Sequence, residues 1–471
     1  MRLQKETFWI VVVALVLRLG VVCVTVDLPI GLDDMFQYDM LARSIVAGNG
    51  YRWYAEDDLE LITPYVDMEV PPEYDPLGIR TSFRPPLYPA FLAIIYFVVG
   101  VGPHRFFAAR VAQAVLGAGL VALTAALGRR LGLTGRAARL GALFVALYPL
   151  LIVYPLALAT ENLFLPLLAL SLWAVLRAQE RGQARDVALA GLLFGLTALT
   201  RSVVTFFVPL AALWMWRTAL SRREGFKRAV VLVLCFLALT LPWSARNTLL
   251  HGEFHFIESA LGYDLFMGYH PQSSGTFDWR IDDLLYMLDD GARHAQGMAG
   301  FWSFVRADPG RIPTLMLNKF SYFWGLDKRA FVYFYGNDFF GHWPAGQLAA
   351  VLSILCGPFV LVAPLGLAGL ALMPERKEKG LAALLLAYYV GIHMLILAEP
   401  RFHEPLVPIL SLLAAYTLAE RPWKTASPRQ KGLALLLVLV LLLNWGWEIA
   451  RDWELLMALF GPEGHVLHRG Y

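Results

Sequence analysis

Long apolar runs recur along the whole chain, and they restrict its fold more than any other feature of the sequence. A helix needs about 20 apolar residues to cross the hydrocarbon core of a bilayer. Eleven runs are read as full spans. A twelfth, shorter run at 87–100 is expected to cross only part of the hydrocarbon core, because a full crossing would put the arginines of 129–139 outside the cell. The sequence therefore predicts an all-α integral membrane protein, a bundle of about 11–12 transmembrane helices. The eleven runs read as spans are 8–26, 106–127, 137–154, 162–176, 187–200, 203–216, 229–243, 348–373, 381–397, 405–418 and 433–448.

Composition supports this class and excludes others. Apolar residues make up 58% of the chain and charged residues only 16%, which is outside the usual range of soluble domains. Lys and Arg number 40 against 37 Asp and Glu, so no basic surplus predicts a nucleic-acid partner. The three cysteines, Cys23, Cys235 and Cys356, lie within apolar runs and outline no disulfide framework.

The loop charges predict the orientation, because short cytoplasmic loops retain Lys and Arg. Two long loops, 27–104 and 246–345, are acidic and are placed outside as parts of one transmembrane domain covering 1–471. Pro and Gly interrupt the second of these loops, which predicts short helices lying on the membrane surface. We expect a multi-pass protein of the cell membrane with a cytoplasmic N-terminus. The basic loops placed inside are 129–139, 177–185, 217–228, 376–379 and 421–431.

An acidic pair, Asp33-Asp34, stands just beyond the first span and opens a predicted helix. Helix N-termini favour negative charge, so capping explains one of the two carboxylates. We expect Phe36, Met40 and Leu41 to form an apolar face that lies on the membrane and holds both carboxylates at its surface. The pair is therefore a candidate for catalysis, with capping as the alternative.

Four arginines are predicted at external helix ends, where the positive-inside rule should deplete them. A guanidinium matches phosphate oxygens with paired bonds, although it can equally anchor a helix at the interface. Glu161 falls on the same side, where helix capping is its alternative role. The arginines are Arg84, which rigid prolines follow, Arg201, Arg246 and Arg401.

Motifs for metals and nucleotides are weak or missing. His251 and His255 have the i, i+4 spacing of two ligands on one helix face, but Gly252 disfavours a helix there and no third ligand is evident. We therefore expect a surface loop and no metal. The chain lacks G-x-x-x-x-G-K-[ST], G-x-S-x-G and G-x-G-x-x-G, so no cofactor is expected.

In their order along the chain, these segments resemble the GT-C superfamily of polyprenyl-phosphate-sugar-dependent glycosyltransferases, notably protein O-mannosyltransferase and aminoarabinose transferase relatives. One departure is that Asp-Asp stands where relatives often have Asp-Glu. The matching segments are Asp33-Asp34 with Tyr38, Ala42 and Gly48-Asn49-Gly50-Tyr51, Arg84-Pro85-Pro86-Leu87-Tyr88-Pro89, Arg110, Tyr148-Pro149 with Thr160-Glu161, Leu199-Thr200-Arg201, Pro242-Trp243-Ser244-Ala245-Arg246-Asn247 and Arg401-Phe402.

The resemblance implies a GT-C type bundle with external interfacial helices and an extracytoplasmic active site. It implies inverting transfer of a hexose, mannose or a similar sugar, from a polyprenyl-phosphate donor to a hydroxyl on a lipid, glycan or protein. Asp34 or Asp33 would be the general base. External basic residues would hold the lipid phosphate, and Glu161 and Tyr88 would also contact substrate.

Two other functions stay open at this stage. A transporter or lipid-linked sugar flippase predicts ionisable residues in mid-span and interrupted helices in matching halves, and His393 is the main such residue recognised in the predicted spans. One buried histidine is more often a helix-packing contact. A catalytically inactive relative would bind lipid or assist assembly, and mutation of Asp33 and Asp34 would not affect it.

Overall fold

The protein is built almost entirely from helices. The computed structural model describes residues 4–65, 68–70, 73–281, 284, 287–338 and 340–467. In those residues the α-helices are α1 Lys5–Val24, α2 Asp34–Val46, α3 Glu56–Ile62, α4 Leu87–Val99, α5 His104–Arg130, α6 Gly135–Leu147, α7 Pro149–Val153, α8 Glu161–Arg181, α9 Ala184–Thr200, α10 Phe207–Thr218, α11 Arg222–His251, α12 Leu261–Tyr269, α13 Asp290–Ala307, α14 Ile312–Phe323, α15 Arg329–Gly336, α16 Ala345–Leu372, α17 Lys377–Leu395, α18 Val407–Glu420, α19 Pro428–Arg451 and α20 Trp453–Leu459.

Short elements join these helices. The strands β1 Arg52–Trp53 and β2 Ile79–Arg80 pair antiparallel, with Arg52 opposite Arg80. This ribbon was not predicted, because two residues per strand are too few to show alternation. The 3₁₀ turns are Tyr154–Leu156, Ser202–Val204, Trp279–Ile281, Pro309–Arg311, Pro400–Leu406, Pro422–Lys424 and Gly464–Val466.

All twelve apolar runs are helical, which confirms the predicted fold class. Within the described ranges, seven helices are long and apolar enough to cross a membrane, and the bent α6–α7 pair makes an eighth. The remaining runs form shorter or less apolar helices, so this count is lower than eleven. Among them α4 has 13 residues and a length of about 20 Å, which is short of the roughly 30 Å hydrocarbon core and fits a partial crossing.

The chain forms two compact units. Unit 1 comprises residues 1–147, 151–263 and 284–296, and unit 2 comprises 148–150, 264–283 and 297–471. In unit 1, α5 packs against α1, α6 and α8, and α9 packs against both α8 and α11. In unit 2, α16 packs against α18 and α19.

Close helix approach in unit 1 depends on glycine. A β-carbon on Gly191 of α9 would lie 2.8 Å from the β-carbon of Cys235 on α11, and one on Gly195 would lie 3.0 Å from that of Leu239. Small residues allow helix backbones to approach in membranes, where lipid provides no hydrophobic force between helices. The α9–α11 contact is therefore fixed by these two positions.

The predicted span at 137–154 is not one straight helix. It bends by 60° at Pro149, which has no N–H to donate to the carbonyl of Val145. Arg18 of α1 compensates, because its Nη2 lies 3.3 Å from that carbonyl and its Nη1 lies 3.2 Å from the carbonyl of Ala146. A buried arginine in the first span thus satisfies backbone groups that the proline break exposes.

The apolar face of α2 does not lie on the membrane, contrary to our expectation. Phe36, Met40 and Leu41 are at most 4% exposed and are buried within the protein. The reason is that α2 packs against α4 and β1, and the Tyr54 amide approaches the Met40 sulfur at 3.3 Å. The first long loop therefore folds onto the helices of unit 1 and fixes α2 from several sides.

The second long loop, 246–345, contains the short helices α12 to α15. The prediction of several short helices is confirmed for the part of this loop that the structure describes. Their lengths of 8 to 18 residues are consistent with repeated Pro and Gly breaks.

Candidate active site

The acidic pair at the start of α2 divides into two roles. Asp33 is the N-cap, and its Oδ1 accepts a hydrogen bond from the Met35 amide at 2.9 Å. Capping thus accounts for Asp33, as the alternative reading proposed. Asp34 is the first helical residue, forms an ion pair with Arg84 and keeps 42% of its side chain exposed.

Arg84 is held on several sides. Its Nε and Nη2 donate to Gln37 Oε1 at 2.9 and 2.7 Å, and its guanidinium lies 5.4 Å from the ring centre of Tyr38. The Tyr51 hydroxyl donates to the Arg84 and Pro85 carbonyls at 2.9 and 3.2 Å. Backbone and side chain are both constrained, so the guanidinium has a fixed position beside Asp34.

A second ion pair joins Glu161 to Arg201. Glu161 opens α8, and Arg201 follows the last residue of α9. The Glu161 side chain is 7% exposed and that of Arg201 25%. Arg201 also donates to the Thr160 hydroxyl at 3.2 Å. These two residues, 40 positions apart, meet because α8 and α9 form an antiparallel pair in which the start of α8 lies beside the end of α9.

Both ion pairs lie within electrostatic range of Tyr38. Burial raises the pKa of Tyr38 to about 12, and Arg84, Asp34, Arg201 and Glu161 all lie close enough to modify it. The Arg84 guanidinium lies 5.4 Å from the ring centre of Tyr38, and the other three groups act on the same phenol, so the two ion pairs lie in one region of unit 1. Together with Glu258, described next, we call Asp34, Arg84, Glu161 and Arg201 the charged cluster.

Glu258 is a member that sequence reasoning missed. Its carboxylate accepts a hydrogen bond from Ser202, which directly follows Arg201. Burial raises the pKa of Glu258, while Ser202, Arg84 and Arg201 act in the opposite direction. No motif surrounds this residue, and its only signal is an isolated acid in the apolar stretch 254–261.

Arg246 lies beside this cluster but bonds mainly to backbone. Its Nη1 donates to the Thr81 carbonyl at 2.5 Å, and its guanidinium lies 4.8 Å from the ring centre of Trp243. Its Nη2 is 3.5 Å from the Tyr51 carbonyl. Arg246 therefore supports the segments that carry Tyr51 and Arg84.

Tyr88 is fully buried and donates to Gln113 Oε1 at 2.6 Å. Its ring packs edge-on against Tyr38 with the ring centres 5.0 Å apart, so it supports that phenol. Arg401 belongs to unit 2, where its Nε lies 2.8 Å from Glu399 Oε2 and its side chain is 42% exposed. The structure thus groups Asp34, Arg84, Glu161 and Arg201 and assigns Arg401 to the other compact unit.

Arg110 ties together the segments that carry the acids. Its Nη1 and Nη2 donate to the carbonyls of Leu28 and Pro29 at 2.6 and 3.1 Å, just before the acidic pair. Its Nε donates to the Leu156 carbonyl at 2.9 Å, a few residues before Glu161. The resemblance included Arg110 without a role, and the contacts show that it fixes loop backbone.

Asp39, also in the acidic motif, is fully engaged elsewhere. Its oxygens lie 2.8 Å from Arg43 Nε and 2.7 and 3.0 Å from Arg105, and the Tyr96 hydroxyl donates at 3.0 Å. A carboxylate with two guanidinium partners and 1% exposure stabilises the fold and has no free face toward an acceptor. Asp34 is more accessible.

The transporter alternative predicts ionisable groups in mid-span, and three such groups bond to backbone carbonyls. His393 donates from Nδ1 to the Tyr389 carbonyl at 2.7 Å, as a helix-packing histidine does. Arg18 and Arg110 are buried arginines that the sequence reading did not count as mid-span charges, and both bond to backbone carbonyls. The contacts of these three residues support helix packing.

Comparison with known proteins gives a family match over part of the chain. Residues 83–244, roughly a third of the chain, match the family described as dolichyl-phosphate-mannose-protein mannosyltransferase. That segment contains Arg84, Glu161 and Arg201. No curated protein sequence matches the chain.

Solved structures share the fold at low sequence identity. ArnT from Cupriavidus metallidurans, bound to undecaprenyl phosphate, matches with a TM-score of 0.50 and 15% identity over 96% of this chain. The apo form of the oligosaccharyltransferase of Archaeoglobus fulgidus matches with a TM-score of 0.54 and 14% identity over 97% of this chain. The same protein in complex with an inhibitory peptide and a dolichol-phosphate matches with a TM-score of 0.51 and 14% identity over 98% of this chain. The chain spans 65% of ArnT and 58% of the oligosaccharyltransferase. The predicted resemblance to the GT-C superfamily is confirmed at the level of the fold.

Proposed function

We propose that this chain, which has the GT-C fold, transfers a sugar from a polyprenyl-phosphate carrier to an acceptor hydroxyl. The observation that supports this most directly is an exposed carboxylate, Asp34, paired with the fixed guanidinium of Arg84. Transfer from a lipid phosphate needs a proton acceptor and a positive group for the leaving phosphate, and these two residues supply both in one site.

The reaction is a single displacement with inversion. The acceptor oxygen attacks the anomeric carbon while the bond from that carbon to the phosphate oxygen breaks, and the electron pair leaves with the phosphate. Asp34 takes the acceptor's proton as general base. Asp33 keeps its capping bond to Met35 and does not take part.

The guanidinium groups stabilise the leaving phosphate. Its charge develops as the bond breaks, so it needs a positive neighbour and no general acid. Arg84 and Arg201 exchange part of their contact with Asp34 and Glu161 for the phosphate. That exchange frees Asp34 for the acceptor hydroxyl. Arg246 and Arg401 remain proposed phosphate contacts, and Tyr88 acts through Tyr38.

The family description supports mannose or a similar hexose as the sugar. The acceptor is a lipid, a glycan or a protein hydroxyl. ArnT and the oligosaccharyltransferase are described with undecaprenyl phosphate and with dolichol-phosphate and peptides, which supports a lipid-linked donor at the membrane. The charges of the loops support a cell-membrane protein with a cytoplasmic N-terminus and an extracytoplasmic site.

A transfer assay tests the proposal. Purified protein in lipid nanodiscs is incubated with radiolabelled polyprenyl-phosphate hexoses and candidate acceptors, and release of polyprenyl phosphate is followed. Asp34→Asn is expected to lower the rate about 10²- to 10⁴-fold through loss of the base. Asp33→Asn is the matched control, because Asn caps helices as well as Asp, and it should retain both rate and stability.

Other outcomes decide against the proposal. Equal rates for Asp34→Asn and wild type would exclude Asp34 as the base. Donor binding without any transfer would favour the inactive lipid-binding relative. Movement of labelled donor between leaflets of a vesicle, unchanged by Asp34→Asn, would favour the flippase.

A further inference from the structure

Glu258 belongs to the charged cluster, but the transfer mechanism gives it no part. It lies in unit 1, on the segment between α11 and α12. Both arginines of the cluster act on its carboxyl electrostatically. Their ion pairs are with the other two acids, Asp34 and Glu161. Glu258 is therefore a third acid that these guanidinium groups do not need as a counter-ion.

Only one oxygen of the Glu258 carboxyl has a partner in the described part of the chain. The Ser202 hydroxyl donates to Oε1, and no other hydrogen bond reaches the group there. Burial raises the pKa of Glu258, which favours the neutral acid. Because Oε1 is occupied as an acceptor, the acid proton belongs on Oε2, which can donate it outward.

The second oxygen of Glu258 is deep in the protein and still accessible. Burial is the largest influence on the pKa of this acid, so protein surrounds most of it. Oε2 nevertheless retains solvent-accessible surface, as does the residue as a whole. A polar atom in that position lines a cleft in which a ligand can reach it.

Polar side chains of α11 fix the segment that presents Glu258. The Trp243 indole and the Asn247 amide both donate to the Ile257 carbonyl at 2.9 Å. The Ser244 hydroxyl donates at 3.0 Å to the carbonyl two residues before Ile257. A carbonyl oxygen has two lone pairs, and the two bonds to Ile257 use both. The backbone directly before Glu258 is therefore held in one position.

The other side of Glu258 is joined to the segment that carries Arg84. The Ser259 amide donates to the Ser82 carbonyl at 3.1 Å. Ser82 stands two residues before Arg84, so this bond couples the position of the acid to that of the guanidinium. The polar residues of 242–247 and this bond thus hold Glu258 at the charged cluster from both sides.

The chemistry of a neutral carboxyl suits a sugar better than a phosphate. Guanidinium groups bind phosphate, which is the role proposed for Arg84 and Arg201, and an acid beside the phosphate adds repulsion when it ionises. A hexose is uncharged, and its hydroxyls both donate and accept. A buried site that hydrogen-bonds such a hydroxyl discriminates strongly against a ligand that lacks it.

We propose that Glu258 selects the donor sugar, by hydrogen-bonding a hydroxyl of the hexose while Arg84 and Arg201 hold the lipid phosphate. This inference rests on the proposed function for the identity of the donor, but it does not require turnover. Trp243 and Asn247 are positioning residues, because they act through the backbone before Glu258.

Binding of lipids without transfer tests the proposal. Purified full-length protein in nanodiscs is titrated, with no acceptor present, with polyprenyl phosphate and with polyprenyl-phosphate mannose, glucose and galactose. The dissociation constant of the sugar-free lipid divided by that of each sugar-bearing lipid is the selectivity ratio. We expect a ratio above one for at least one hexose in the wild type. Glu258→Leu should lower that ratio by about 3- to 10-fold without weakening the binding of sugar-free lipid.

Three further variants separate selectivity from stability. Glu258→Gln keeps a donor and an acceptor in the same place and should retain the ratio. Trp243→Phe keeps an aromatic ring but loses the bond to the Ile257 carbonyl, so it should lower the ratio. Trp216→Phe, the matched control, removes a similar indole bond to the Arg222 carbonyl and should leave the ratio unchanged. Trp243→Phe decides the matter if Glu258→Leu does not fold.

A wild type that binds no hexose-bearing lipid more tightly than the sugar-free lipid would overturn the proposal. So would a ratio that Glu258→Leu and Trp243→Phe leave unchanged, or an equal loss of affinity for both kinds of lipid. If the ratio falls as expected but the wild type transfers no sugar, the transfer reaction is wrong and the selectivity of Glu258 stands. If the wild type transfers sugar but the ratio does not respond to Glu258→Leu, the reverse holds.

Discussion

At the residue scale, the two acids that open α2 show how one structural contact separates neighbouring side chains. Asp33 bonds to the Met35 amide, whereas Asp34 pairs with Arg84 and stays partly exposed. Sequence reasoning identified the pair and left open which of them is the base. Our proposal of Asp34 as the base rests on its pairing with Arg84, some fifty residues away, whose position no local pattern reveals.

Burial of Glu258 should make the free energy of unfolding depend on pH. Burial raises its pKa above the usual 4.5, with Ser202, Arg84 and Arg201 opposing, and it also lies near Tyr51. The folded state therefore favours the protonated acid. Stability from this group is present at low pH and is lost as pH rises from about 4.5 through the raised pKa.

Glu258→Gln should remove that loss. We expect the thermal midpoint of the variant, minus that of wild type, to grow as pH rises above 4.5. Unfolding of both proteins in the same detergent, measured across pH, checks this. Glu60→Gln, at an exposed position on α3, is the matched control. A difference that stays constant with pH would contradict the assignment.

Removing only the arginine of the Glu161–Arg201 pair is expected to destabilise the protein more than removing both charges. Arg201→Met leaves the nearly buried Glu161 carboxylate without its counter-ion and should cost about 2 to 4 kcal/mol. The Glu161→Gln, Arg201→Met double variant removes both charges and should be more stable than Arg201→Met alone. A double-mutant cycle on thermal unfolding measures the coupling, and additive effects would show that the pair is not coupled.

At the element scale, polar side chains within the helices of unit 1 satisfy backbone that turns and breaks expose. Arg110 bonds to three loop carbonyls ahead of α2 and α8. Arg18 bonds to two carbonyls at the break before Pro149. Apolar periodicity locates the helices correctly, but it gives no information on which carbonyls a break leaves open or which side chain reaches them.

Arg18→Met should destabilise the protein, because each orphaned buried carbonyl costs about 1 to 3 kcal/mol. A methionine fills similar space, so the loss reports hydrogen bonds more than packing. Thermal unfolding of the purified variant measures it. Arg185→Met, at an exposed position in the first turn of α9, is the control and should change stability by less than about 0.5 kcal/mol. Equal midpoints for both variants would contradict this account.

At the scale of the whole molecule, the apolar runs were sufficient to predict a helical membrane protein, and the order of the motifs predicted the resemblance to the GT-C fold. They did not predict the two compact units, the ribbon, or the burial of α2 in place of a membrane face. These features depend on contacts between distant segments, such as Tyr54 with Met40. Apolar periodicity identifies an apolar helix face, but that face can be buried equally well against lipid or against other helices of the protein.

The orientation is testable by cysteine labelling. In a background with Cys23, Cys235 and Cys356 replaced, Glu60→Cys on α3 and Gln183→Cys between α8 and α9 provide exposed reporters. The loop charges predict that an impermeant maleimide labels position 60 in intact cells. Position 183 should react only after the cells are permeabilised. The reverse pattern would invert the proposed sidedness.

The bond between Arg18 and the α6 carbonyls has a consequence for biogenesis. The first helix leaves the ribosome and enters the translocon 128 residues before its partner carbonyl at Ala146 has been synthesised. Until then a guanidinium stands in the bilayer without its permanent acceptors, a state that costs a few kcal/mol on insertion scales. Stable integration of α1 is therefore expected only after α6 has entered the membrane. Chains whose synthesis stops before α6 should be degraded by membrane quality control more readily than complete chains.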